Sequence, residues 1–169
     1  MGMTDTPDAP RTIVERGLWF EEFEVGARYL HRPGRTVTQA DNQLFSALTM
    51  NPQALHVDEA YARSQPFGRP LINSMWTLAT LIGSSVGQLT QGTLVAQLGL
   101  EDVTFPAPLY PGDTLYCDTE IVRARLSASR AGQGIVVMRH TGRNQDDVVV
   151  ATATRTALMW CRSHEKVQT

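Results

Sequence analysis

Apolar positions recur along this chain with two different periods, and the change of period divides it. Over residues 73–89 the period is helical: Met75, Leu78, Ala79, Ile82 and Val86 fall at i, i+3, i+4, i+7 and i+11. The intervening Ser74, Thr77, Thr80, Gly83, Ser84 and Ser85 are small and uncharged, and no charged residue occurs between Arg69 and Glu101. A helix without a charged face is covered nearly all round. This stretch therefore predicts one central helix wrapped by other elements. Asn73, Gln88, Gln91 and Gln97 interrupt it, so it reads as buried and not as a membrane span.

After the helix the period shortens to two. Residues 93–100 and 101–105 read as strands. Over residues 115–122, Leu115, Cys117, Thr119 and Ile121 alternate with Tyr116, Asp118, Glu120 and Val122. Residues 134–140 and 148–160 are two more β-rich runs, joined by short links at 131–132 and 144–147. Long strands with short links predict an antiparallel sheet, and one long apolar helix on such a sheet is an α+β arrangement.

Before the helix the elements are shorter. Residues 20–29 read as a lead-in that turns at Gly26, and residues 35–38 as a short strand. Thr38 with Asp41 three residues on makes a capping-box-like start for a helix over residues 39–48, with Leu44, Phe45 and Leu48 on one face. Asn51-Pro52 marks a loop over residues 49–55, Asp58 caps a short helix over 59–64, and Phe67-Gly68-Arg69-Pro70 is a turn. His31, His140 and His164 have no partner spacing and read as surface residues.

The 169 residues suffice for one domain with a core. We place it over residues 17–162, between tails at 1–16 and 163–169. A net charge of −2 and the absence of any block of five Lys or Arg remove the electrostatic case for nucleic acid. The first residues lack an apolar run, which predicts a cytoplasmic protein. Cys117 and Cys161 match no metal or redox spacing and read as buried free thiols. No Gly-rich phosphate loop, nucleophile elbow or metal motif is present.

Three motifs carry a resemblance. Residues 51–62 (NPQALHVDEAYA), 67–75 (FGRPLINSM) and Phe105-Pro106 with 110–115 (YPGDTL) resemble, in order and spacing, the signatures of the MaoC-like dehydratase family. The resemblance covers roughly residues 20–160. It implies a hot-dog fold, an antiparallel sheet curled round one long helix. It also implies a homodimer or higher homo-oligomer with acyl-thioester tunnels near the subunit interface, and hydration or dehydration of a 2-enoyl-CoA thioester. The CoA thioester is then substrate; no cofactor, metal, membrane or nucleic-acid partner is expected.

Adding water to a double bond conjugated with a thioester needs a base for the water and a donor for the oxygen that gains charge. Histidine titrates near working pH and suits the first task. Unpaired N–H groups at a helix start suit the second. The candidates are His56 as base and the backbone N–H of Ser74 as oxyanion donor. The sequence departs from the family pattern at three points. Asn51 stands where many members carry an aspartate; it cannot take a proton at neutral pH but can hold a water. Asn73-Ser74 replaces His-Gly. A polar residue common within the central helix has three candidates here, Thr77, Thr80 and Ser84.

An asparagine at this position resembles a branch that handles branched dicarboxylic acyl-CoA substrates such as mesaconyl- or itaconyl-CoA. The second carboxylate would need a cation, for which Arg63 and Arg69 are nearest in sequence. Trp76 fits a tunnel lining or the core equally. Two other functions stay open: a non-catalytic acyl-CoA-binding or regulatory protein, and an acyl-CoA thioesterase. The lack of Asp or Glu between Arg69 and Glu101 counts against the last.

Overall fold

The computed structural model describes residues 13–167. Most of the tail placed at 1–16 and the last two residues of the one at 163–169 lie outside this range. In chain order come β1 (Arg28–Thr36), α1 (Gln39–Leu48), α2 (Ala54–Val57), α3 (Glu59–Ser64), α4 (Ser74–Leu89), β2 (Leu94–Thr104), β3 (Thr114–Leu126), β4 (Gln133–Arg143) and β5 (Val149–Trp160). The strands form one five-stranded sheet in the order β1-β3-β4-β5-β2, antiparallel at every pairing. α4 packs across β1, β3, β4 and β5. One long helix lying on an antiparallel sheet is the hot-dog arrangement that the resemblance implies.

Local chemistry fixes the start of each early element. Gly26 takes φ +89°, a left-handed turn that glycine adopts without strain, and sends the lead-in into β1. Thr38 accepts from the Asp41 N–H while Asp41 accepts from the Thr38 N–H, so α1 begins with the anticipated capping box. Those bonds, with Thr38's hydroxyl foremost and Arg35 nearby, hold the Asp41 carboxyl below its ordinary value. At the other end of the molecule, the N–H groups of Gly17 and Leu18 donate to the carbonyls of Gln91 and Leu89. They pair backbone oxygens that the end of α4 leaves free. A Cβ on Gly17 would lie 2.4 Å from the Thr90 nitrogen, so only glycine permits this approach.

Several expectations are corrected. The two strands read at 93–105 are one strand, β2. Its register shifts between Glu101 and Thr104, where Asp102 takes φ +50°, and this irregularity broke the alternation in the sequence. The loop read over 49–55 closes into α2, a single helical turn that carries His56. Residues 162–167 form a 3₁₀ turn, and the His164 ring stacks on Trp160 at 3.7 Å.

α1 turns a different face inward from its apolar one, and α4, expected to be covered nearly all round, turns one face to the sheet. α4 buries Trp76, Thr77, Leu81, Ser85 and Leu89. Trp76 and Leu81 meet Leu115, Cys117, Ala151 and Ala153, and Leu89 meets Ile121, Val136, Met138 and Met159. Trp76 is thus core. The stripe of Met75, Leu78, Ala79 and Ile82 instead lines an open groove of about 280 Å³ with Gln97 and Leu100 of β2. Within one chain α4 is therefore covered on one side only. α1 leaves Leu44 and Leu48 62% and 74% exposed and buries Asn42 and Ser46.

His31 and His140 are not surface residues. They occupy inward positions of β1 and β4 and are 5% and 0% exposed. The Thr119 hydroxyl joins them, 2.7 Å from His31 Nε2 and 2.8 Å from His140 Nδ1. Gln88 Oε1 can only accept, so His31 Nδ1 donates to it (3.0 Å). His31 Nε2 then accepts from Thr119, and Thr119 accepts from His140 Nδ1. Burial lowers both histidine pKa values, that of His140 to about 3 with Arg155 beside it adding to the effect.

Candidate active site

The candidate residues lie on the segment between α1 and α4, and backbone polar groups organise it. The Asn51 N–H donates to the Ser46 carbonyl at the end of α1 (2.9 Å). Its Oδ1 accepts from the Gln53 N–H (3.1 Å), the side-chain turn that Asn-Pro favours. This delivers the chain into α2. Asn51 is half-buried, its Oδ1 is engaged, and its Nδ2 has no hydrogen-bond partner among the described residues. It makes no hydrogen bond with His56 or Ser74.

His56 is half-buried, and its ring is fixed from one side. Nδ1 lies 2.9 Å from the Leu71 carbonyl. A carbonyl oxygen only accepts, so Nδ1 carries a proton, and in the neutral ring Nε2 is the basic nitrogen. Nε2 has no hydrogen-bond partner among the described residues. The Leu71 N–H in turn donates to the Leu55 carbonyl (3.0 Å), which lashes the α2 turn to the strand-like approach to α4.

α4 begins three residues after Leu71. Asn73 is its N-cap: Oδ1 accepts from the Met75 N–H (3.0 Å) and Nδ2 donates to the Ser46 hydroxyl (3.2 Å). The Ser74 N–H remains without an acceptor among the described residues. It lies at the helix end that carries positive charge. Ser74 lines a cavity of about 300 Å³ with Leu71, Ile72, Thr77, Phe105 and Leu109. The apolar walls weaken screening, which strengthens any bond from the N–H to a negative oxygen. Of the three polar positions left open on the helix, Thr77 reaches this cavity; Ser84 bonds to the Leu81 carbonyl instead.

His56 and Ser74 are thus joined through one short segment, since the carbonyl that holds the ring belongs to a residue of the cavity wall. The arginines considered for a substrate carboxylate are engaged elsewhere. Arg63 pairs with Glu59 one turn back, and the exposed Arg69 lies over the Tyr110 ring at 3.5 Å. A cavity of about 320 Å³ on the outer face of the sheet, bounded by Arg28, Arg32, Tyr116 and Arg143, shares no residue with the one at Ser74. Asp58 accepts from the Tyr61 N–H as a helix cap. Among the described residues no three His, Cys, Asp or Glu side chains lie together as a metal site. Sequence reasoning missed Gln39 and Asn42. Both donate to the His56 carbonyl, and their only signal was polarity at inward helix positions.

Comparison with known proteins adds to the geometry. The family description "MaoC like domain" matches residues 21–144. A β-methylmalyl-CoA dehydratase from Chloroflexus aurantiacus is 31% identical over 134 residues, 79% of this chain and 38% of that protein. A mesaconyl-CoA hydratase from Cereibacter sphaeroides is 26% identical over 139 residues, 82% of this chain and 40% of that protein. The chain thus spans about two fifths of the length of these relatives. A solved structure of a MaoC-like dehydratase from Rhodospirillum rubrum superposes with a TM-score of 0.76 at 28% identity, covering 86% of this chain and 99% of the other.

Proposed function

The chain belongs to the MaoC-like dehydratase family, and from that premise we propose that it adds water to, or removes it from, the double bond of a 2-enoyl-CoA thioester. The observation that carries this reading is that the Leu71 carbonyl orients the His56 ring through Nδ1, leaving Nε2 without a partner among the described residues, while Leu71 and Ser74, whose helix-start N–H is unpaired, both line one apolar cavity.

In the hydration direction His56 Nε2 takes a proton from water as its oxygen attacks the β-carbon. Charge moves to the thioester oxygen, which the Ser74 N–H and the start of α4 stabilise. The imidazolium then delivers its proton to the α-carbon, so one base serves both steps. Asn51 offers Nδ2 as a donor to the water oxygen. Dehydration runs the same steps backwards.

The relatives' names favour a branched dicarboxylic acyl group, and mesaconyl-CoA is the first substrate to try. We further place the protein in the cytoplasm, where two buried free thiols persist. No helix among the described residues is long and apolar enough to cross a membrane. We assign a homodimer, because the α4–β2 groove leaves Met75 48% exposed and β2 is an edge strand. A solution mass of one chain would exclude the dimer.

The test mixes the protein with crotonyl-, mesaconyl- and itaconyl-CoA, following loss of enoyl-thioester absorbance and, separately, release of free thiol. Loss of absorbance that His56→Ala reduces about 10²- to 10⁴-fold is expected for removal of a general base. Thiol release would instead indicate a thioesterase. Binding without turnover would indicate a non-catalytic acyl-CoA protein.

A further inference from the structure

The base and the oxyanion donor come from different segments, and no covalent link fixes their separation. Asn42 is wholly buried on the inward face of α1. Its Nδ2 donates to the carbonyls of His56 (3.0 Å) and Leu71 (2.9 Å), and its Oδ1 accepts from the Asn73 N–H (2.8 Å). The Leu71 carbonyl it holds is the one that receives His56 Nδ1–H. The Asn73 N–H it holds is one residue from the Ser74 N–H. A single planar amide therefore touches the backbone of the base, the acceptor that orients the base, and the cap of the donor helix.

Its neighbours on α1 do less. Gln39 donates to the His56 carbonyl (2.9 Å) but makes no bond at α4. Ser46 accepts from the Asn73 side chain but makes no bond to α2. The arrangement also explains why α1 turns a polar face inward. α2 is a single turn, so its last carbonyls lack helical partners, and buried carbonyls left unpaired are costly.

We propose that Asn42 is a positioning residue that sets the register between the His56 ring and the N-terminus of α4, without touching substrate. The proposal rests on the roles given above to His56 and Ser74. Asn42→Leu keeps the branched shape of the side chain, does not lower helix propensity and removes all three bonds. Asn42→Asp retains the acceptor toward Asn73 but loses the donations as a carboxylate, and it serves should the leucine variant not fold. Gln39→Leu is the control that removes one bond to His56 and leaves the bridge.

Two readouts separate this proposal from the reaction it serves. Nitrogen NMR of the imidazole reports the tautomer of His56 whether or not the protein turns over. Wild type and Gln39→Leu are expected to hold the Nδ1–H form alone, whereas the Asn42 variants mix both tautomers. With the hydratase substrate, the Asn42 variants are expected to lose roughly 10- to 100-fold in kcat, the scale of a misplacement near 1 Å, with KM within about threefold. An Asn42 variant that folds and keeps both the single tautomer and wild-type kcat overturns the proposal. So does Gln39→Leu if it matches the Asn42 variants in both. If wild type turns over no enoyl-CoA, the reaction assigned to the site fails. The tautomer result then decides Asn42 by itself: mixing upholds its hold on the ring, and an unchanged tautomer overturns it.

Discussion

Replacing Ser74 by proline would remove one N–H from the site and little else. Ser74 is the first residue of α4, where the N–H has no intrahelical acceptor, so proline at this position costs the helix no bond. The preceding residue must avoid helical angles, and Asn73 already sits at φ −57° and ψ 122°. The Ser74 side chain is exposed and makes no hydrogen bond among the described residues, so Ser74→Ala is the matched control that keeps the N–H. Deleting one oxyanion donor costs about 10²- to 10³-fold in kcat, roughly 3–4 kcal/mol of transition-state stabilisation. The expected result is that loss for proline, near wild-type activity for alanine, and melting temperatures of both within a few degrees of wild type. The assay is loss of enoyl absorbance at saturating substrate, beside a thermal melt. A folded Ser74→Pro enzyme with kcat within threefold of wild type would refute the assignment of the oxyanion donor to this N–H.

Two further outcomes are expected. Asn51→Leu should lose most activity while Asn51→Asp retains or alters it; an unaffected leucine variant would remove Asn51 from the site. Stability should fall as pH drops below about 6.5, because burial and then Arg155 hold the folded His140 pKa near 3 and the unfolded chain takes up the proton first. The contribution is complete above the unfolded value and is lost progressively down to pH 3. Between pH 6.5 and 5 it amounts to about 2 kcal/mol at 1.36 kcal/mol per unit. Urea midpoints for wild type and His140→Gln at pH 7 and pH 5 check this, and equal pH slopes in the two proteins would contradict it.

The sequence was legible where a local rule acts alone. The capping box at Thr38 and Asp41 and the cap at Asp58 lie where the residues placed them, because each is closed within four residues. Strand runs were legible because alternation against a covered face leaves a period of two. The faces of α1 and α4 were not. Sequence periodicity finds a stripe but cannot say which body covers it. On α4 the apolar stripe belongs to the open groove, while Trp76 and Leu81, one position round, take the sheet. On α1 the inward face is polar because it serves backbone groups from segments 14 and 29 residues away, and no local pattern encodes such partners. His31 and His140 were misplaced for the same reason: a histidine reads as surface until the Thr119 hydroxyl between two strands pairs it.

The departures from the family pattern acquire a physical meaning from this construction. Replacing His-Gly by Asn73-Ser74 would matter greatly if the site used those side chains for chemistry. In the proposed reaction the useful group at 74 is a backbone N–H, which any residue except proline supplies. Asn73 spends its side chain on the cap and on Ser46. Replacing aspartate by Asn51 removes a titrating group, yet the His56 ring keeps its orientation, because it is held through Nδ1 by the Leu71 carbonyl. What the site cannot lose is the scaffold that holds those backbone groups in register. That requirement falls on Asn42, a residue outside all three motifs, and it makes the buried polar face of α1 as much a part of the chemistry as the histidine it supports.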